Sequence, residues 1–212
     1  SVKDSIESLC QLQTNETMLF RNGSGTGTNF STLRELAAPL SNGGSSSGPV
    51  SFVKGFDTWA GITKSAGKTR RAAKMVILNV DHPDIEDFIK SKVTVEKMAR
   101  DLIKMGWPAD YNSETYSFLP YQNANHSVRV TDDFMRAVEQ DKNFDLINFK
   151  KIKVKELSAK NLFRTIAEAA HLCADPGIQF DTTINSWHTS PNSGRINAAN
   201  PCSEYMFVDD SA

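Results

Sequence analysis

The sequence predicts an α/β fold with mainly parallel strand pairing, on three observations. Segments of helical periodicity alternate with short apolar runs. Met75 to Val80 is a continuous apolar stretch, the kind buried on both faces of a parallel sheet. Ser158 to Cys173 carries a helical stripe of Leu162, Ile166, Ala169 and Ala170, is stopped by Asp175-Pro176-Gly177, and leads into a second short strand from Ile178 to Phe180. Periodicity does not separate an open sheet from a barrel, and no internal repeat is present.

From about Val2 to Phe20, apolar residues at Ile6, Leu9, Cys10, Leu12 and Leu19 make an amphipathic helix, with Asp4 or Ser5 as its N-cap. Gly23 to Asn29 is turn-rich and must be a loop or a glycine-permissive strand. Ser41 to Gly48 is the one low-complexity stretch, with the composition of a mobile loop. Pro49 opens a helix to about Ser65, with Phe52, Val53, Phe56, Trp59, Ala60 and Ile62 as its apolar positions. A cationic loop, Ala66 to Arg71, separates it from the Met75 strand. Pro83 to Met105 is a long helix after an Asp81 or His82 cap. Ser127 to Val130 is a short strand, Asp132 starts another helix, and Asn200 to Phe207 is expected to be extended.

Composition narrows the function classes. The 212 residues could hold one large domain or two small ones. With 39% hydrophobic and 23% charged residues a packed core is expected. A net charge of −1 gives no electrostatic case for nucleic-acid or membrane binding. No apolar run approaches the roughly 20 residues of a membrane span, and Ser1-Val2-Lys3-Asp4 lacks a signal-peptide core. The three cysteines, Cys10, Cys173 and Cys202, show no pairing rhythm and fit a reducing cytosol. Cys10 and Cys173 lie on apolar helix faces and are expected in the core. His82, His126, His171 and His188 are scattered without ligand spacing, so no metal site is assigned.

Chemistry concentrates near the C-terminus, in Asn200-Pro201-Cys202-Ser203-Glu204. In an extended segment, positions i, i+2 and i+4 share a face. Asn200, Cys202 and Glu204 would then present an amide, a thiol and a carboxylate together, a set able to act on a hydroxylated carbon. The plainer alternative is a half-buried cysteine on an ordinary strand. Gly61 to Thr69 imitates a P-loop, but five residues separate Gly61 from Gly67 where the motif needs four, and the stretch ends a helix instead of starting one. Lys68, Arg70 and Arg71 could still hold a phosphate or read a base, or simply form a solvated basic turn. Glycines at 23, 25 and 27 would let a ligand approach the backbone closely. Asp4 could accept from a ribose hydroxyl beside a helix N-terminus that favours anions.

The stretch from Ser193 to Ala212 closely resembles the active-site segment of ribonucleotide reductases, most of all the adenosylcobalamin-dependent branch, whose form Pro201 and Ser203 match. Further blocks follow in the family's order: Asp4-Ser5-Ile6, Gly23 to Asn29, Ser47 to Phe52, Lys68 to Asp84, Asn123 to Asp132 and Asp181 to His188. The resemblance covers essentially the whole chain. It implies a ten-stranded α/β barrel with the catalytic cysteine on a central loop, of which residues 1–212 form a central, incomplete portion. It implies that Cys202, as a thiyl radical, removes the ribose 3′-hydrogen, that Glu204 takes the 3′-hydroxyl proton, and that Asn200 fixes the sugar, with Gly25 touching substrate. It further implies an effector deoxynucleotide or ATP at Asp4, Ser5 and Ile6, with Arg34 on its phosphates, and a specificity loop at Lys68, Arg70 and Arg71. A homodimer paired through the first helix, a dithiol reductant such as thioredoxin and a cytoplasmic location are implied as well. The family's redox cysteines would fall just outside this chain, which alone is therefore expected to be inactive. The rival readings are a class I large subunit, whose radical comes from an iron or manganese partner protein, and a non-catalytic nucleotide-binding module.

Overall fold

The structure, a computed structural model, describes residues 2–63 and 72–210. Helix α1 (Ile6–Arg21) starts where the Ser5 hydroxyl accepts the Ser8 N–H at 3.2 Å, satisfying one otherwise orphaned amide. Ser5, not Asp4, is thus the cap. A turn at Gly23 leads to β1 (Gly25–Asn29), the glycine-permissive strand. The low-complexity stretch is the tip of a closed loop, since Ala37 N–H donates to Ser46 O at 2.9 Å and Ser46 N–H to Ala38 O at 2.8 Å. Helix α2 (Gly48–Ile62), with Pro49 in its first turn, stops before the expected Ser65. Strand β2 (Ala73–Asn79), helix α3 (Ile85–Lys104) and the single turn α4 (Glu114–Ser117) follow. Strand β3 (Ala124–Val130) begins three residues ahead of the expected Ser127. Its early start has a cause in the buried Asp57 of α2, whose carboxylate accepts the backbone N–H groups of Gln122, Asn123 and Ala124 at 3.2, 2.8 and 2.8 Å.

Helix α5 (Asp132–Glu139) is capped by Thr131. An antiparallel hairpin that the sequence did not announce then intervenes, β4 (Asn143–Ile147) with β5 (Lys153–Ser158). Its strands are short and turn Phe144, Leu146 and Leu157 toward the core, so no continuous apolar run marks them. Helix α6 (Ala159–Cys173) ends at Ala174 in the left-handed region (φ +64°). Strand β6 (Gly177–Phe180), helix α7 (Asp181–Ser186), and the two-residue strands β7 (Ala198–Ala199) and β8 (Met206–Phe207) complete the chain.

The main sheet has the order β1-β2-β3-β6, with every pair parallel. Sequence-adjacent strands sit side by side, joined by crossovers through α2, through α3, and through α5 to α6. Among the described residues the sheet is open, with β1 and β6 at its edges. Alternation divides its faces cleanly. Val76, Leu78, Val128 and Val130 point into the core made by Val53 and Phe56 of α2, Ile85, Phe88 and Ile89 of α3, and Leu162 and Ile166 of α6. The odd-numbered residues point the other way, where Met75 and Ile77 form a small apolar cluster with Ala198 of β7.

One charge pair lies on the helical side. Glu16 of α1 is 2% exposed and Lys74 of β2 is 1% exposed, and the two form an ion pair. The same carboxylate oxygen, Oε1, accepts from the Thr26 and Thr28 hydroxyls of β1 at 3.1 and 3.0 Å. The ammonium also lies 5.5 Å from the Phe30 ring centre and 5.0 Å from that of Phe56. Burial pulls the Lys74 pKa down, and Glu16 opposes that shift.

Glu16→Gln should therefore destabilise the intact protein by about 3–5 kcal/mol near neutral pH, since it strands a buried ammonium. The deficit should shrink as pH rises toward the ordinary lysine range. A lysine whose folded pKa is depressed binds fewer protons folded than unfolded, so stability climbs with pH. Adding Lys74→Met should recover most of the loss, because the substituted amide still accepts from both threonines. Chemical denaturation of the three variants across pH checks all of this.

Candidate functional site

The odd-numbered face of the sheet sets small and polar residues around the apolar pair Met75 and Ile77. It presents Gly25, Gly27 and Asn29 from β1, Asn79 from β2, Asn125, Ser127 and Arg129 from β3, and Gln179 from β6. The β7–β8 hairpin lies across it. Descending residues pass β1 in steps of two, with Asn197 at Asn29, Ala199 at Gly27 and Pro201 at Gly25. A Cβ on Gly27 would lie 1.6 Å from Ala199 O, and one on Gly25 would lie 2.5 Å from Pro201 Cγ. The glycines thus serve close backbone approach, and what approaches is another part of this chain. Gly25 is the glycine expected to touch substrate; it is exposed, with Pro201 beside it on the hairpin side.

Side chains from three strands grip the hairpin. Asn29 Nδ2 donates to Asn197 O at 3.0 Å and to Asn79 Oδ1 at 2.9 Å. Arg129, 2% exposed, donates through Nη2 to Ile196 O at 2.6 Å, through Nη1 to Gln179 Oε1 at 3.2 Å, and through Nε to Asp181 Oδ1 at 2.6 Å. Burial lowers the Arg129 pKa, and the bond to Asp181 opposes that. Arg195 pairs with the other Asp181 oxygen, while Asn185 closes the cluster by accepting the Ile196 N–H at 3.0 Å. At the far end Asn125 Nδ2 donates to Pro201 O at 2.7 Å, and Gln179 Nε2 donates to Ser203 Oγ at 2.9 Å.

The tip of this hairpin holds Cys202, but not on an extended segment. Residues 200–205 form a turn. Ser203 N–H donates to Asn200 O at 3.0 Å, Asn200 N–H to Tyr205 O at 3.1 Å, and Tyr205 N–H to Asn200 Oδ1 at 3.0 Å. Ser203 takes φ +67°. The two-residue strand period therefore does not apply to Asn200, Cys202 and Glu204, and the expectation of an extended segment from Asn200 to Phe207 is corrected. Cys202 and Glu204 are exposed at the tip, while Asn200 is half-buried and commits its side-chain oxygen to closing the turn. Asn125 also lines a cavity of about 340 Å³ at the N-terminal end of β3, together with Lys92, Tyr111, Tyr116 and Asn123.

The remaining expected residues divide. Asp4 and Arg34 meet at the start of α1, with Arg34 Nε 2.6 Å from Asp4 Oδ2 and the guanidinium 5.2 Å from the Phe149 ring centre. Ser5 is committed to its cap, and Ile6 is exposed. Lys68, Arg70 and Arg71 lie outside the described residues. Cys10, expected in the core, faces outward on α1, and Cys173 is half-buried. No cluster of three or more His, Cys, Asp or Glu able to hold a metal ion occurs among the described residues. Sequence reading missed Asn29, Asn125, Arg129 and Gln179, the residues that hold the hairpin. The available signal was the polar series Asn125, Ser127, Arg129 alternating with Ala124, Val128 and Val130.

These features define an α/β protein whose polar sheet face is shaped to hold one cysteine-bearing hairpin. Residues 1–212 match the family described as ribonucleotide reductase, barrel domain, and the chain belongs to that family. It is 54% identical over 213 residues to the vitamin B12-dependent ribonucleotide reductase of Streptomyces avermitilis, and 52% identical over 215 residues to that of Rhodopirellula baltica. Both alignments cover all of this chain. It is 40% identical over 209 residues, 98% of the chain, to the vitamin B12-dependent ribonucleoside-diphosphate reductase of Mycobacterium tuberculosis. The chain spans 22%, 21% and 27% of the length of these three relatives.

Gly27→Ala should displace the hairpin, because a backbone carbonyl blocks the new methyl and cannot rotate away. Gly25→Ala meets only the edge of a proline ring and should be milder. Hydrogen exchange across residues 196–207 of the intact protein should rise sharply in the first variant and modestly in the second. Overpacking of this type costs about 1–3 kcal/mol.

Proposed function

We propose that this chain is the central part of the catalytic barrel of an adenosylcobalamin-dependent ribonucleotide reductase, which converts ribonucleotides to 2′-deoxyribonucleotides for DNA synthesis. The observation that carries the reading is the hairpin itself, whose exposed tip sets a thiol and a carboxylate two residues apart on a framework gripped from three strands. The names of the relatives favour cobalamin over the iron or manganese partner protein of a class I enzyme. In the whole protein the parallel sheet would extend to a ten-stranded barrel around the tip.

The exposed Cys202 thiol fits a cofactor that must reach it from outside the hairpin. Adenosylcobalamin, when bound, supplies the radical chemistry that a protein side chain cannot start alone. Cys202 then removes the 3′-hydrogen of the ribose. Glu204 receives the 3′-hydroxyl proton, a task for a carboxylate within hydrogen-bond reach. Asn200, with its Oδ1 closing the turn, keeps its Nδ2 to donate to a ribose hydroxyl. The 2′-hydroxyl leaves as water, and a dithiol such as thioredoxin restores the reducing equivalents. Asp4, Ser5, Ile6 and Arg34 form the effector end, where a nucleotide phosphate would compete with Asp4 for the guanidinium. The enzyme is read as a cytoplasmic homodimer paired through α1, and no described helix is long and apolar enough to cross a membrane.

Cys202→Ala in the intact enzyme should abolish deoxynucleotide formation with little change in melting temperature, because the residue is exposed. Glu204→Gln should lower turnover by about 10²–10⁴-fold, the usual worth of a positioned acid or base. Wild-type turnover in either variant would remove the catalytic assignment.

Arg70→Ala tests the specificity loop. Loss of a charge-assisted fork should shift base preference under a given effector by roughly ten- to a hundredfold. Competition among four substrates with each effector measures it, and unchanged preference would leave residues 68–71 without a regulatory role.

A further inference from the structure

Cys202 is flanked by two side-chain clamps of different kinds. On one side Asn125 holds the Pro201 carbonyl at 2.7 Å. On the other, Gln179 holds the Ser203 hydroxyl at 2.9 Å. The second clamp is the unusual one. Ser203 is a non-glycine residue at φ +67°, a conformation that L side chains adopt rarely and only when their surroundings enforce it. Cys202 immediately precedes it, so whether position 203 stays left-handed sets the direction in which the thiol leaves the turn.

Gln179 is itself held. It is 2% exposed, and its amide oxygen accepts from Arg129 Nη1 at 3.2 Å. A guanidinium has only donors, so the oxygen must face Arg129 and the Nε2 must face Ser203. Arg129 is in turn fixed by Asp181 at 2.6 Å and by the Ile196 carbonyl at 2.6 Å. A buried chain of defined polarity thus runs from Asp181 through Arg129 and Gln179 to the residue after the thiol.

We propose that Gln179 is a positioning residue for Cys202, holding Ser203 in the left-handed turn conformation, with Arg129 orienting the Gln179 amide. The proposal rests on the reading of Cys202 as the reacting thiol. It also explains why a serine can stand at this position, since its hydroxyl is the handle by which the strained conformation is enforced.

The test is a double-mutant cycle in the full-length protein, with Gln179→Met, Ser203→Gly and the combination. Glycine adopts φ +67° without help, so the clamp becomes dispensable in its presence. Two quantities are read. One is the rate at which iodoacetamide alkylates Cys202, followed by peptide mass spectrometry without cofactor or substrate. The other is kcat and KM for ribonucleotide reduction in the cobalamin-loaded enzyme.

Gln179→Met alone should change the Cys202 alkylation rate and lower kcat by roughly tenfold, the worth of about one hydrogen bond, with KM unchanged. In the Ser203→Gly background the same substitution should shift neither quantity by more than about twofold, a span well inside one hydrogen bond. An equal effect in both backgrounds would make Gln179 an ordinary core residue and overturn the proposal, as would no effect in either. If Cys202→Ala retains turnover, the catalytic reading fails separately, and the alkylation cycle still reports on the clamp.

Discussion

The close contact between β1 and the descending arm of the β7–β8 hairpin is the constraint on which the rest of the site depends. A carbonyl oxygen of Ala199 occupies the volume where any side chain at position 27 would begin. Among the described residues no ladder of main-chain bonds compensates for that intimacy, because β7 and β8 are two residues long and pair with each other. The hairpin is therefore fixed by side chains reaching up from the sheet. A strand with glycine at alternate positions supplies the room, and neighbouring strands supply amides and a guanidinium at the right height. On the opposite face, Val76, Leu78, Val128 and Val130 of the central strands are apolar and pack on α2, α3 and α6. One alternation thus serves both stability and chemistry.

The buried Arg129 centre shows how polar groups are placed in such a face at tolerable cost. A guanidinium out of water is strongly unfavourable unless its donors are met. Here Asp181, Gln179 and the Ile196 carbonyl meet them, and Asp181 is shared with the exposed Arg195. Asn185 ties the same carbonyl and the adjacent amide to α7. The cluster joins β3 to β6, α7 and the start of the hairpin, with Arg129 bonded to groups 50 to 67 positions further along the chain.

Much of the fold was legible in the sequence. The apolar run at Met75, the helix from Ser158 and the Asp-Pro-Gly stop have strong local causes, and the structure contains each. The β4–β5 hairpin was not legible, since its strands are short and the alternation that turns Phe144 and Leu146 to the core is too brief to stand out. The direction of the Asn200 to Glu204 segment was misjudged for a related reason. Its turn is closed locally by Asn200, whose carbonyl and side-chain oxygens accept from Ser203 and Tyr205, and is gripped from outside by Gln179 and Asn125, while a serine gives no local signal for a left-handed backbone. Cys10 was misplaced because an amphipathic stripe read from spacing alone takes in positions at its margin. The chemistry was recognisable from residue types, while the scaffold that aims it required the fold.

Most of the grips on the hairpin address its backbone. Asn29, Arg129 and Asn125 take the carbonyls of residues 197, 196 and 201, groups that every amino acid possesses. The sheet therefore determines where the hairpin lies without dictating the identity of what it carries. The arm must still be small where Ala198 and Ala199 are buried against the sheet, whereas the exposed tip can be rewritten as long as the turn survives. Ser203 is the exception among these grips, being held by its own hydroxyl. The architecture behaves as a socket whose insert is seated by its main chain and small buried side chains, leaves the tip interchangeable, and is keyed there by the hydroxyl beside the thiol.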